Sequence, residues 1–175
     1  FDLGAIIGVI VFGVLLTVGR HLGVKGIESE NIVTGIIGSA ISVLTYGIFG
    51  SGILTKYSSD IYASSILVTM IITVSITILA SIVVFGSSRS FKFAKRYSGI
   101  SFIVGLGFAL VGTIFSPILI FAFGCFLVGF LLDLVYEIWA LSDGQRKPVT
   151  NGLTLYIAFA GVFVHILQLV LEAQD

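Results

Sequence analysis

Read from its N-terminus, the chain alternates between long apolar stretches and short polar interruptions. Six apolar stretches, Leu3–Val18, Ile32–Leu54, Ile61–Phe85, Tyr97–Phe115, Pro117–Leu141 and Leu153–Leu171, are bounded by charges, glycine or proline. A helix that crosses a bilayer needs about 20 mostly apolar residues, and five stretches are close to or above that length. The first is short, at about 16 residues, and reads as a trimmed or little-tilted span. A β-barrel would instead show segments of about ten residues with polar positions alternating inward. Runs such as Ile66–Ile78 and Ile118–Leu132 are apolar on most sides. Because open sheet edges are not tolerated in lipid, helices remain. The abundant Ile and Val would favour strands in water, but here length outranks propensity. The expectation is an all-α integral membrane fold, a bundle of about six transmembrane helices forming a single polytopic domain over residues 1–175.

Composition strengthens this expectation. Of 175 residues, 57% are hydrophobic and 10% charged, and the mean hydropathy is +1.17, far from the balance of a water-soluble domain. The principal partner is therefore a lipid bilayer. Formal net charge is zero and no aromatic platform lies on an aqueous face, so nucleic acid is not an expected partner. Cys125 lies within an apolar stretch and has no second cysteine to pair with. It reads as a small packing residue.

Position along the plan orients the bundle. The first, third and fifth loops hold Arg20 and Lys25, then Arg89, Lys92, Lys95 and Arg96, then Arg146 and Lys147, leaving only Lys56 on the other side. By the positive-inside rule the three basic loops face the cytoplasm or matrix and both termini face the opposite compartment. The cluster Arg89, Lys92, Lys95 and Arg96 serves as an orientation anchor or as a site for anionic lipid. The first span follows Phe1-Asp2 without a basic leader, so no cleavable signal is expected. A start without Met suits a lost targeting segment or a trimmed N-terminus. On that basis the mitochondrial inner membrane is favoured, with the endoplasmic reticulum and a bacterial plasma membrane as alternatives.

Glycine recurs inside the spans, as in Gly4/Gly8, Gly35/Gly38, Gly105/Gly107 and Gly124/Gly129. Small residues let helices approach closely. Gly4-Ala-Ile-Ile-Gly8 fits the small-xxx-small pattern, which would serve either dimerisation or packing within one bundle. The third span carries Ser64, Ser65, Thr69, Thr73, Ser75 and Thr77. Their hydroxyls would bond the carbonyl one turn back or line a polar path.

Few ionisable side chains fall inside the spans. Asp133 and Glu137 lie four residues apart on one face of the fifth, and Asp133 is roughly 12 Å in from Leu141 at the helical rise. An ionised carboxylate at that depth costs about 2.5 kcal/mol or more and is a functional-site hypothesis by default. Asp133 must therefore hold a proton or find a cation or donor. Glu137 is shallower, beside Tyr136 and Trp139, which suit a headgroup belt. His165 lies roughly 18 Å into the sixth span from Leu153, and is either a hydrogen-bonded core histidine or a relay partner of Asp133. No metal-ligand cluster, cofactor motif or nucleophile–base spacing is present, so an enzyme is not expected.

The order of features from the second span onward resembles the transmembrane Bax inhibitor motif family, over about three quarters of the chain. The likeness rests on Phe49-Gly-Ser-Gly-Ile53, Tyr62-Ala-Ser-Ser-Ile-Leu-Val-Thr-Met70, the basic turn Arg89-Ser-Phe-Lys-Phe93 and Ser98-Gly-Ile-Ser-Phe102. Its strongest parts are Phe130-Leu-Leu-Asp-Leu134, then Leu155-Tyr-Ile-Ala-Phe159 with Val162-Phe-Val-His-Ile-Leu-Gln-Leu169. The resemblance implies a seven-helix fold, here short of one N-terminal helix. It also implies a pH-sensitive leak for calcium or another cation, closed when two carboxylates on the last two helices share a proton. Asp133 matches the first carboxylate, and Ala158 stands at the second position, so the two-carboxylate latch is degenerate. The expected partners are then Ca2+ or H+. The alternative is a non-conducting membrane subunit held by other membrane subunits in a larger organellar assembly, respiratory or proteolytic.

Overall fold

The computed structural model describes residues 3–54, 59–112, 114–144 and 147–173. Lys56 and Arg146 of the charge count lie outside them. Among the described residues six α-helices follow one another: α1 Leu3–Glu28, α2 Ile32–Leu54, α3 Ser59–Phe85, α4 Lys92–Gly112, α5 Leu119–Asp143 and α6 Pro148–Glu172. All six are long and apolar enough to cross a membrane, and the protein is an all-α integral membrane bundle.

The first helix departs most from expectation. It runs for 26 residues rather than stopping at Val18, and it carries Arg20 and Lys25 within it. Arg20 does not end the helix because its charge is met inside the protein, as described below, while Lys25 in the last turn complements the negative helix terminus. The chain then reverses in three residues. Glu30 takes the left-handed conformation at φ 61°, and the Ser29 and Asn31 amides donate to the Lys25 and Gly26 carbonyls, which satisfies the end of α1. The Asn31 side-chain oxygen accepts from the Thr34 amide and caps α2. At the same end α4 begins at Lys92, five residues before the expected Tyr97, with the Ser90 hydroxyl accepting from the Lys92 amide. Lys92, Lys95 and Arg96 are thus helical rather than loop residues. Gly144, at φ 65°, closes α5, and Pro148 opens α6.

Glycine sets the α1–α2 packing. Gly19, Gly23 and Gly26 of α1 face Ser42, Gly38 and Gly35 of α2 in strict antiparallel register, so close that a Cβ on Gly26 would overlap the Gly35 backbone. Gly8, nearer the N-terminus, makes no such contact among the described residues, with nothing within 4 Å of an added Cβ. Between α4 and α5, Gly105 meets Phe126 and Gly129 meets Phe102, and the rings of Phe102 and Phe130 stack edge-on at 4.8 Å. Helix α6 is the centre of the bundle, packed against α1, α2, α3 and α5. The hydroxyls of α3 mostly bond their own helix: Ser65, Thr73, Ser75 and Thr77 each donate to the carbonyl four residues back.

The basic segments meet at one end. Lys147 pairs with Glu30 at 2.9 Å, joining the α1–α2 and α5–α6 turns. The Lys147 ammonium holds the Glu30 carboxyl below the usual carboxylate range, by its hydrogen bond first and its charge second. The pair is exposed and adds little to stability. Lys92 lies over the Trp139 ring at 5.6 Å, bringing the start of α4 to the end of α5.

Substituting Val for Gly26 is expected to destabilise the protein by about 1–3 kcal/mol or more, whereas Ala at Gly8 leaves stability unchanged. Thermal unfolding in detergent measures both, and a tolerated Gly26→Val would contradict the close α1–α2 approach.

Candidate functional site: an intramembrane ion-pair cluster

The site is assembled by four helices. On α1, Gly19, Gly23 and Gly26 are spent on α2, and Arg20, one residue beyond Gly19, turns about 100° around the helix to reach α5. Its Nη1 lies 2.7 Å from Asp133 Oδ2 and its Nη2 lies 2.7 Å from Glu137 Oε1. The i, i+4 spacing of the two carboxylates lets one guanidinium bridge both.

The second cation comes from α4. Ala94, Ser98 and Gly105 are buried on the face of α4 that meets α5, and Lys95 sits at its edge. Lys95 Nζ is 2.6 Å from Asp133 Oδ1 and 3.7 Å from Glu137 Oε1, and it lies over the Tyr136 ring at 5.3 Å. From α6 the Thr154 hydroxyl donates to Glu137 Oε2 at 2.7 Å. Both carboxylates are enclosed, with side chains 1% and 0% exposed, whereas Arg20 keeps 25% and Lys95 41%. Two cations balance two anions, so the cluster carries its charge into the bundle without net charge. At the helical rise it lies roughly 5–15 Å from the ends of α1, α4, α5 and α6, in the half of the bundle that receives the basic segments.

One expectation changes here, and one of two alternatives is selected. Glu137 is not a headgroup-facing residue. It is wholly enclosed, because Arg20 and Thr154 give it charged and neutral donors inside the protein. Asp133 and His165 do not form a relay. The His165 ring lies among Phe123, Phe126 and Phe130, with centroids 5.1, 6.4 and 5.2 Å away. Its Nδ1–H donates to the Gly161 carbonyl one turn back at 2.8 Å.

The antiparallel register of α5 and α6 fixes the place of Ala158. Glu137 meets Thr154, Phe130 meets Gly161 and Phe126 meets His165. Each step forward on α6 is thus a step back on α5, and Asp133 comes level with Ala158, which is fully buried. One residue before Ala158, the Ile157 carbonyl accepts from the Tyr46 hydroxyl of α2 at 3.0 Å. The other basic residues of this segment, Arg89 in the turn before α4 and Lys92 and Arg96 on it, are exposed. Among the described residues no group of His, Cys, Asp or Glu could hold a metal ion.

Arg20 and Thr154 were not apparent as site residues from the chain alone. Arg20 ends the first long apolar run and so resembles a loop residue. The signal against that reading is the apolar pattern that resumes at Leu22, Val24 and Ile27.

No protein-family model, curated protein or solved structure matches the chain.

Removing one member of a buried ion pair leaves an uncompensated charge and costs about 3–5 kcal/mol. Arg20→Gln is therefore expected to destabilise strongly. Lys95→Gln should cost less, because Lys95 is more exposed and approaches Glu137 only at 3.7 Å. Unfolding of both variants in the same detergent tests the ranking, and equal or reversed losses would contradict it.

Proposed function

We propose that this chain is a Bax-inhibitor-like membrane protein that passes Ca2+ or protons, with the Arg20–Lys95–Asp133–Glu137 cluster as its closed, charge-compensated constriction. The observation that carries this reading is the double pairing of Asp133 by Arg20 and Lys95 at 2.7 and 2.6 Å, level with Ala158. Where the family resemblance implies a carboxylate on each of two helices, this chain offers both on α5, as Asp133 and Glu137. The compensating charges come from α1 and α4.

The chemistry follows from the balance of charge. Ca2+ prefers carboxylate and hydroxyl oxygens, and the oxygens of Asp133, Glu137 and Thr154 would serve it once Lys95, the most exposed member, swings aside. Acidification acts oppositely. Protonating either carboxylate leaves Arg20 and Lys95 in excess, and the resulting positive field repels cations. Around the pair, α6 presents the Thr154 hydroxyl and α2 the Tyr46 hydroxyl, both uncharged. Cation flux therefore falls as pH falls. The host membrane in this reading is the mitochondrial inner membrane, ahead of the endoplasmic reticulum or a bacterial plasma membrane. The one-sided basic segments suit any membrane that retains them on its inner face.

A second reading is favoured by the neutrality of the cluster itself. A balanced ion-pair staple with no free carboxylate also suits a non-conducting subunit of a larger membrane assembly, respiratory or proteolytic.

Purified protein in liposomes distinguishes the two. The leak reading expects Ca2+ flux that declines on acidification, and a loss of about tenfold or more with a flattened pH response in Asp133→Asn. Flux that Asp133→Asn leaves unchanged would overturn it. Absent flux together with co-purification of a large complex in gentle detergent would establish the subunit reading instead.

A further inference from the structure

The cluster engages one of the four basic residues at the start of α4, and the other three are unclaimed by it. Lys95 is turned inward to Asp133. Arg89, Lys92 and Arg96 are exposed, and among the described residues no carboxylate pairs with them. Lys92 and Arg96 are four residues apart, so they share one face of α4, and Arg89 lies in the turn just before it. The patch has an apolar floor and flank. Lys92 rests over Trp139 at 5.6 Å, and Phe93 and Tyr97, with rings 6.3 Å apart, are exposed beside it.

Three features bear on what covers this patch. It stands at the inner ends of the helices, where a bilayer places its headgroups. Its charge is wholly positive, although the chain as a whole is neutral. Its exposed aromatics suit the boundary between headgroup and acyl chain. We propose that the start of α4 is a binding site for an anionic phospholipid of the inner leaflet. Arg89, Lys92 and Arg96 engage the phosphodiester, and Phe93 and Tyr97 lie against the glycerol and upper acyl region. Lys95 takes no part, because Asp133 holds it. The proposal does not depend on ion conduction.

Native mass spectrometry of the detergent-purified protein, titrated in parallel with phosphatidylglycerol and phosphatidylcholine, tests the site. The intact protein is expected to retain phosphatidylglycerol in preference. Two interfacial charges removed by Lys92→Gln with Arg96→Gln should weaken that binding about 30-fold. The charge-retaining pair Lys92→Arg with Arg96→Lys should preserve it, which separates loss of the site from loss of the fold. Lys147→Gln, which removes an inner-end charge outside the patch, should leave it unchanged. Equal retention of the two lipids, or a loss with Lys147→Gln as large as that of the α4 variant, would overturn the proposal in favour of general surface charge.

Discussion

A carboxylate cannot be left alone in hydrocarbon, and this constraint organises the bundle. Asp133 and Glu137 stand on one face of α5 with almost no exposure. The low dielectric around them makes an unmatched charge far costlier than at a surface. Arg20 and Lys95 match them at 2.6–2.7 Å, from α1 at the start of the chain and α4 just before α5. The pairing ties α1, α4 and α5 together, and Thr154 adds α6. Such a cluster is weak as a source of net stability, since two apolar residues of similar volume would often do as well. Its value is specificity of arrangement, since only one docking of α1, α4 and α6 on α5 matches all the charges and donors.

The rest of the packing serves that geometry. Lipid gives helices no hydrophobic reason to associate, so close contact must come from shape. Gly19, Gly23 and Gly26 bring α1 against α2, and that docking aims Arg20 at α5. The small face of α4 at Ala94, Ser98 and Gly105 brings Lys95 to the same carboxylates. At the centre, α6 presents small or apolar residues level with Asp133, where a second acid would sit in the arrangement that the family resemblance implies. In this chain the acidic pair is on one helix and the compensation comes from two others.

Much of this architecture was legible in the chain. Six spans and the placement of Asp133 in the fifth followed from apolar length and from the cost of a buried charge. The limits of the spans were less legible, because a charge was read as a boundary. Arg20 and Lys95 were assigned to loops, yet both are helical, since a cation paired within the protein no longer has to reach water. Glu137 was assigned to the headgroup region by its depth and its neighbours Tyr136 and Trp139, and neither registers a partner contributed by α1. The close α1–α2 contact escaped for a related reason. Spacing of glycines shows that a helix can approach another, but the choice between Gly4/Gly8 and Gly19/Gly23/Gly26 depends on which neighbour is present. His165 lies in the core among three phenylalanines, about two helical turns from the level of Asp133.

The central claim is that Arg20 and Asp133 stabilise the protein through each other. A double-mutant cycle with Arg20→Gln, Asp133→Asn and the combined variant, followed by reversible unfolding in detergent or bicelles, measures this directly. The combined loss should be smaller than the sum of the single losses by at least about 1 kcal/mol, because neither remaining group is left facing an unmatched charge. Additivity within about 0.3–0.5 kcal/mol, the behaviour of independent sites, would contradict the claim.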